Sequence, residues 1–127
     1  MKSLTLDTGA LIALERGDKR MRILARTARI SGVVLIVPAP VVIEWWRGTR
    51  RHRHLQTSIL ETVWIEPTTA ELAKLAGEAI EATPGATPID ALVMASAAQR
   101  GDLVYTSDFE DLQRLRGYFP DVRVMRV

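Results

Sequence analysis

Four carboxylate side chains lie where the sequence changes character, and they are the residues best placed to do chemistry. Asp7 and Asp108 each come just after a short apolar run that is typical of a buried strand. Asp90 begins a mostly apolar helical stretch, and Glu44 lies one turn into another predicted helix. Taken singly, each aspartate is more often a helix N-cap than a catalytic group, and a lone glutamate is usually a solvated helix position.

Taken together, the four acids point to metal chemistry. In an open α/β sheet the carboxyl ends of parallel strands lie at one edge, so the aspartates should meet there with the glutamate reaching in from its helix. Carboxylates gathered in one cleft stay ionised only if a cation neutralises them. An all-oxygen site without Cys or a nearby His suits Mg²⁺ or Mn²⁺ and not zinc. Such a metal activates water and stabilises a leaving oxygen, so phosphodiester hydrolysis is the predicted reaction class.

Alternating strands and helices must position these acids. Short apolar or β-branched runs predict five strands, at Leu4–Leu6, Val33–Val37, Val63–Glu66, Leu103–Tyr105 and Val122–Val127. Apolar residues at helical spacing predict helices that begin after Asp7 and Asp108 and that cover Lys19–Ile30, Val41–Trp46, Thr69–Ala82 and Asp90–Arg100. Because strands separated by helices favour parallel pairing with right-handed crossovers, the predicted fold class is α/β with a central, mainly parallel sheet.

Tryptophans and a basic segment complete the prediction of the elements. Trp45 and Trp46 are adjacent on a helix, so one is expected in the core and the other at a partner interface. Trp64 is expected in the core. Residues 47–54 are either a basic connector or the exposed start of a further helix.

Composition restricts the class of protein. The 127 residues, 47% hydrophobic and 25% charged, suit one globular domain, which we predict to span residues 1–127. The absence of Cys excludes disulfide scaffolds, Cys-based zinc sites and thiol catalysis. The longest uncharged run, residues 30–43, contains two prolines and is too short to span a bilayer. A cytoplasmic protein without a membrane partner is therefore expected.

Positive charge is concentrated in the first half of the chain. The formal net charge of +2 divides into +6 over residues 1–63 and −4 over residues 64–127, and 14 of the 17 basic residues are Arg. Basic side chains that could contact RNA form a helical stripe and a cluster behind Glu44; they are Arg22, Arg26, Arg29, Arg47, Arg50 and Arg51. A solvated helix face explains the arginine stripe equally well. Genomic base composition is an alternative explanation for the use of Arg in place of Lys. His52 and His54 are assigned no role.

Four motifs in order resemble a known family. The sequence resembles PIN-domain ribonucleases, and in particular the virulence-associated protein C (VapC) toxins of bacterial toxin–antitoxin pairs. The resemblance covers essentially the whole chain and rests on Leu6-Asp7-Thr8-Gly9-Ala10, Val42-Ile43-Glu44-Trp45, Ile89-Asp90-Ala91-Leu92 and the run from Val104 to Leu112.

The resemblance implies a PIN-like three-layer α/β/α fold with about five strands, and a role for each matching residue. Asp7 and Asp90 match the acids expected to hold Mg²⁺ or Mn²⁺ directly. Asp108 matches an acid that acts on the metal or through its water shell, and Glu44 matches the acid that binds metal or positions the attacking water. Thr106 matches a supporting hydroxyl.

The resemblance also implies partners. It predicts an endoribonuclease toxin that hydrolyses RNA, is inhibited by a cognate VapB-type antitoxin, and forms a homodimer within a larger toxin–antitoxin assembly. The alternative is a non-catalytic RNA- or partner-binding module that retains the fold, in which case the acids are helix caps. Asp111 is either a further acid of the site or a surface helix position.

Overall fold

The computed structural model describes residues 2–47 and 52–127, and a single parallel sheet forms its centre. The strands are β1 (Ser3–Leu6), β2 (Val34–Pro38), β3 (Trp64–Glu66), β4 (Leu103–Thr106) and β5 (Arg123–Arg126), in the order β3-β2-β1-β4-β5. All four neighbouring pairs are parallel, with Leu4 of the central strand opposite Leu35 on one side and Leu103 on the other. The predicted fold class and its five strands are confirmed.

Helices flank this sheet. They are α1 (Thr8–Glu15), α2 (Lys19–Ile30), α3 (Ala39–Trp45), α4 (Arg53–Leu60), α5 (Ala70–Ala82), α6 (Pro88–Arg100) and α7 (Phe109–Leu115). Of the two alternatives for residues 47–54, the helix is found, since α4 begins at Arg53; residues 48–51 lie outside the described residues. Across the described ranges, none of these helices combines the length and apolarity that crossing a membrane requires.

The core is centred on α6, as its sequence predicts. This helix packs against β1, β2 and β4, and α5 packs along it. Every residue from Ala91 to Ala97 is buried, so the helix is apolar on all sides because protein surrounds it. Its ends are defined by Thr87, whose hydroxyl caps the first turn, and by Gly101, whose φ of 73° is a left-handed C-cap conformation that favours glycine.

A buried polar network ties the carboxyl end of α6 to the sheet. The Arg100 guanidinium forms ion pairs with Glu66 at the end of β3 and with Asp102, to whose Oδ2 its Nε donates at 2.9 Å. Its Nη2 donates to the hydroxyls of Thr5 at 2.9 Å and Ser96 at 2.8 Å. Since both carboxylates and the Thr5 hydroxyl are occupied by this one side chain, Arg100 fixes α6 against β1 and β3.

The tryptophans depart from prediction at one position. Trp45 is buried, and its Nε1 donates to Glu15 Oε1 at 3.1 Å, while Trp46 is half-buried with the Arg53 guanidinium 4.5 Å from its ring centroid. The prediction that Trp64 lies in the core is wrong, because this side chain is 50% exposed. Its strand, β3, has three residues and lies at an edge of the sheet, where it is paired with a neighbouring strand, β2, on one side only.

Candidate active site

The strand order creates a switch point beside β1. From the central strand the chain proceeds outward on one side through β2 and β3, and on the other side through β4 and β5. Ligands of open α/β sheets bind at the carboxyl ends of the strands at such a point. Asp7 directly follows β1 and Asp108 follows β4, so both acids lie at this position.

Asp7 is buried and held by two hydrogen bonds. It is the N-cap of α1, and the backbone N–H of Ala10 donates to its Oδ1 at 3.1 Å. The Thr106 hydroxyl, at the end of β4, donates to its Oδ2. The same Thr106 oxygen accepts the backbone N–H of Asp108 at 2.8 Å. One threonine therefore holds the segments that carry both acids.

The environment of Asp7 opposes its ionisation. Burial raises the pKa of the carboxyl from its usual 3.8 to about 6, although hydrogen bonds from Thr106 and Ala10 act in the opposite direction. The charges of Asp108 and Asp90 contribute to the same rise in pKa. These acids are therefore close enough in space to repel one another.

Asp90 extends the same cluster from α6. It occupies the first turn of the helix, behind Pro88, and its backbone N–H donates to the Thr87 hydroxyl at 3.3 Å. Partial burial raises the pKa of its carboxyl, the Thr87 hydrogen bond lowers it, and the negative charges around it raise it further. Those charges belong to Asp108, Asp111 and Glu44. All four acids singled out by sequence thus come together, and Asp111 joins them.

Glu44 is exposed on α3 and is held near the other acids by Thr8, a residue for which the sequence predicts no role. The hydroxyl of Thr8 donates to Glu44 Oε1 at 2.6 Å. Thr8 is the residue after Asp7, so a single turn of chain carries one acid and holds another. Its position beside Asp7 in the first motif is the only sequence signal for this role, because the partner lies 36 residues away.

Gly9 allows the two acid-bearing loops to approach closely. A Cβ atom at this position would lie 2.0 Å from the Ser107 Oγ and 2.8 Å from the Ser107 backbone nitrogen. Ser107 immediately precedes Asp108 in the turn after β4. Any side chain at position 9 would therefore push this turn away from α1.

The helix-cap alternative explains only part of the cluster. Asp7 does cap α1, but at the N-cap position of α7 the Asp108 side chain makes no capping hydrogen bond. Asp90 is not a cap, since Thr87 fills that position. Asp111 has a basic partner, Arg114, whose Nη2 donates to it at 3.2 Å. Capping therefore does not account for why these carboxylates converge.

The donor chemistry of the cluster fits a hard divalent cation. The residues offer carboxylate and hydroxyl oxygens, and Asp7 is buried among like charges that raise its pKa. Within residues 2–47 and 52–127, no group of three or more acidic or His side chains is placed to hold a metal ion together, so the protein would supply at most two such ligands in an open arrangement. An open arrangement suits Mg²⁺, which keeps several waters and is commonly held by one or two carboxylates.

The predicted RNA-contacting arginines fall into separate groups. Arg47 is exposed next to the acids, and its Nε donates to the Glu44 backbone oxygen at 3.3 Å. Arg50 and Arg51 lie outside the described residues. The stripe on α2, formed by Arg22, Arg26 and Arg29, lines a groove at the amino ends of β2 and β3, away from the acids. Their contact with RNA stays a prediction.

The sequence matches a known protein family over most of its length. The sequence profile of the PIN domain matches residues 4–117, and the chain therefore belongs to the PIN-domain family. A comparison with curated protein sequences returned no significant match.

Several solved structures share the fold. VapBC2 of Rickettsia felis, bound to a promoter DNA fragment, has a chain that superposes with a TM-score of 0.81 at 12% identity, covering 98% of both chains. DNA-bound VapBC of Salmonella typhimurium gives 0.79 at 15% identity, covering 99% of this chain and 98% of the other. FitAcB of Neisseria gonorrhoeae gives 0.69 at 20% identity, covering 96% of each. At these identities the likeness concerns the fold.

Proposed function

We propose that this protein is a metal-dependent endoribonuclease and the toxin of a toxin–antitoxin pair, of the VapC type. The observation that carries the proposal is the meeting of Asp7, Asp90 and Asp108 at the switch point, with Thr106 bonded to both sides. Membership in the PIN family supports it, since PIN domains are generally nucleases. It stays a prediction that residues 1–127 form one domain and that the protein is cytoplasmic.

Each acid has a role set by its surroundings. Asp7 and Asp90 would hold Mg²⁺ or Mn²⁺, which when bound supplies an activated water and stabilises the leaving oxygen. Thr106 keeps Asp7 oriented and holds the backbone of Asp108, which would act from the outer side of the site. Glu44 is exposed to solvent and oriented by Thr8, so it is placed to accept a proton from the attacking water.

The proposed substrate is RNA, approached from the side of Arg47. This exposed guanidinium lies one turn beyond Glu44 and would contact a backbone phosphate next to the site of cleavage. Such cations are needed because the cluster of acids repels a polyanion.

The proposed protein partner is a cognate VapB-type antitoxin. It would occupy the groove that the α2 arginines line, an 820 Å³ depression between α2, α4 and the starts of β2 and β3. Most of the lining is apolar, and we call it the apolar groove. The groove includes exposed large apolar side chains, Ile30 at 78%, Leu55 at 42% and Trp64 at 50%. Exposed apolar surface of this kind is typical of a protein interface. The structural neighbours are themselves toxin–antitoxin complexes, and a homodimer within a larger assembly is proposed on the same ground.

The test is cleavage of RNA by purified protein in Mg²⁺ buffer, with the ends of the products mapped. Asp7→Asn and Asp90→Asn should each reduce the rate by about 100-fold or more, because each removes a carboxylate that would hold the metal. Asp121→Asn is the matched control. It removes the same charge from an exposed turn before β5, at the amino end of the strand, whereas the acids lie at the carboxyl ends. This variant should leave the rate unchanged.

Two outcomes would contradict the proposal. Full cleavage by either site variant would remove these residues from the active site. If wild-type protein cleaves no RNA and releases no heat on titration with Mg²⁺ or Mn²⁺, the chain is the non-catalytic binding module that retains the fold.

A further inference from the structure

A stacked cation flanks the acid cluster on the side opposite Arg47. Arg126 is the last residue of β5 and pairs in register with Thr106, the residue that holds Asp7. Its guanidinium carbon lies 4.1 Å from the centroid of the Phe109 ring, and Phe109 directly follows Asp108. The pair thus lies at the same edge of the sheet as the acids, two strands from β1.

The contacts of Arg126 leave it available to a ligand. Its side chain is 61% exposed, and its ion-pair partner Glu110, at 3.1 Å, is 78% exposed. An ion pair so exposed contributes little to stability, because water screens it. The Phe109 ring supports the guanidinium from one side. The arrangement therefore orients a cation next to the site without burying it.

We propose that Arg126 and Phe109 form a binding site for one nucleotide of single-stranded RNA, adjacent to the phosphate that is cleaved. The inference rests on the proposed function and adds a subsite to it. Guanidinium groups bind phosphate through two parallel hydrogen bonds, and both arginine planes and aromatic rings stack on unpaired bases. The phosphate displaces Glu110, which neutralises Arg126 in the free protein.

The location explains why a cation is needed there. An RNA strand that reaches the acids passes through the negative potential of several carboxylates, so cations on both flanks are required to hold it across the site. Arg47 supplies one on the β2 side, and Arg126 supplies one on the β5 side. The strand would then run across the carboxyl ends of the strands from one arginine to the other.

The test measures RNA binding in the cleavage-deficient Asp7→Asn background, with a fluorescent single-stranded RNA in Mg²⁺ buffer at several salt concentrations. Arg126→Ala should raise Kd about tenfold, as expected for loss of a charge-assisted hydrogen bond. It should also reduce the slope of log Kd against log salt by about 0.7, the value for one phosphate contact on a single strand. Glu110→Gln should lower Kd, because it removes the group that competes with phosphate.

Arg123→Ala is the matched control. Arg123 is also exposed and also on β5, but it pairs with Leu103 at the opposite end of the strand. It should change Kd less than twofold with an unchanged salt slope, and Arg126→Lys, which keeps the charge, should fall between wild type and alanine. Thermal denaturation of each variant verifies that it is folded.

The outcomes separate this inference from the proposed function. Equal Kd values for Arg126→Ala and Arg123→Ala, with RNA still bound, overturn the subsite and leave the nuclease proposal intact. Absence of RNA binding by the Asp7→Asn protein, together with absence of cleavage by wild type, overturns both.

Discussion

At the scale of single residues, Asp7 is the group whose chemistry the fold controls most tightly. The residue is 4% exposed, and its carboxylate receives hydrogen bonds from Thr106 and Ala10, which favour the ionised form. Burial and the neighbouring charges of Asp90 and Asp108 outweigh these bonds and raise its pKa to about 6. Such a group gains the most from a bound cation, because the cation removes both the repulsion and the cost of burying a charge.

The first prediction concerns the stability of Asp7→Asn. The folded pKa of about 6 exceeds the unfolded value near 3.8, so this group's stabilising effect is complete below pH 3.8 and is lost as the pH rises through 6. Asparagine keeps one of the two acceptor oxygens and has no charge to bury. In chelator at pH 7.5, Asp7→Asn should therefore be more stable than wild type by up to about 3 kcal/mol. Urea denaturation across pH 4–8 measures the difference.

The control for this prediction is the exposed variant Asp121→Asn, which should follow wild type at every pH. At pH 4 the gap between Asp7→Asn and wild type should close, since both then carry an uncharged side chain at position 7. Addition of Mg²⁺ should stabilise wild type and Asp121→Asn but not Asp7→Asn. Equal stability of the two proteins at pH 7.5, with parallel pH profiles, would show that Asp7 is not held in this environment.

The four acids were predictable from residue type and position, but the support of Glu44 by Thr8 was not. Asp7, Asp90 and Asp108 follow or begin recognisable elements, so the sequence places them at one edge of the sheet. The bond from Thr8 to Glu44 depends on how α1 and α3 meet in space, which no local pattern encodes. For the same reason, the sequence does not decide whether Asp111 belongs to the site or to the helix surface. Its closeness to Asp90 follows from the packing of α7 beside α6.

At the scale of elements, the contact between α1 and the turn after β4 sets the spacing of the acids. Gly9→Ala would insert a Cβ 2.0 Å from the Ser107 hydroxyl and 2.8 Å from its backbone nitrogen, so the turn must shift. We expect a loss of about 1–3 kcal/mol of stability and a marked fall in RNA cleavage, because Asp108 moves with Ser107. Thermal denaturation and initial rates check both effects.

Gly77→Ala is the matched control for this substitution. Gly77 lies within α5, and a Cβ there would meet nothing within 4 Å. Alanine is the better helix former, so this variant should gain up to about 1 kcal/mol and keep full activity. If Gly9→Ala behaves in the same way, α1 and the turn are not in close contact.

The network around Arg100 is a second feature of the elements that mutation can probe. Arg100→Met would leave the buried carboxylate of Asp102 and the partly buried carboxylate of Glu66 without their cation. Breaking a buried pair on one side costs about 3–5 kcal/mol, and the urea midpoint should fall accordingly. Arg123→Met, at an exposed position on β5, should change stability by less than about 0.5 kcal/mol. Similar midpoints for both variants would contradict the role of Arg100.

The elements themselves were largely predictable because the strands are short apolar runs and the helices have clear periodicity. The parallel sheet followed from their alternation. The sequence does not distinguish helix α4 from a basic connector, since the start of this helix is a run of Arg and His without an apolar face. Trp64 was wrongly assigned to the core because its side chain is apolar; its exposure depends on β3 being an edge strand, which is a property of the strand order.

At the scale of the whole molecule, the acids and the apolar groove occupy opposite ends of the strands. The acids follow the carboxyl ends of β1 and β4, whereas the groove is lined by the start of β2 and β3. A strand of five residues such as β2 separates the two by about 15 Å. Under the proposed function, a partner can therefore occupy the groove through surface that does not take part in catalysis.

The groove can be tested separately from the active site. Ile30→Asp places a charge in the groove and should weaken binding of the co-expressed antitoxin by at least about tenfold, because it buries an unpaired charge. RNA cleavage by the free protein should be unchanged. Ile23→Asp is the matched control, since Ile23 is also exposed on α2 but does not line the groove. Co-purification and titration calorimetry provide the measurement; equal affinities for both variants would place the partner elsewhere.

The bond between Thr106 and Asp7 joins residues 99 positions apart, and this separation determines when the site is formed during synthesis. Because synthesis proceeds from the N-terminal side, the central strand and Asp7 are made about one hundred residues before β4 and Asp108. A nascent chain that ends before Thr106 has one acid without its hydroxyl support and lacks another entirely. Under the proposed function, a nascent chain cannot act as a nuclease until Thr106 and Asp108 have been made, and products terminated before Thr106 do not cleave RNA.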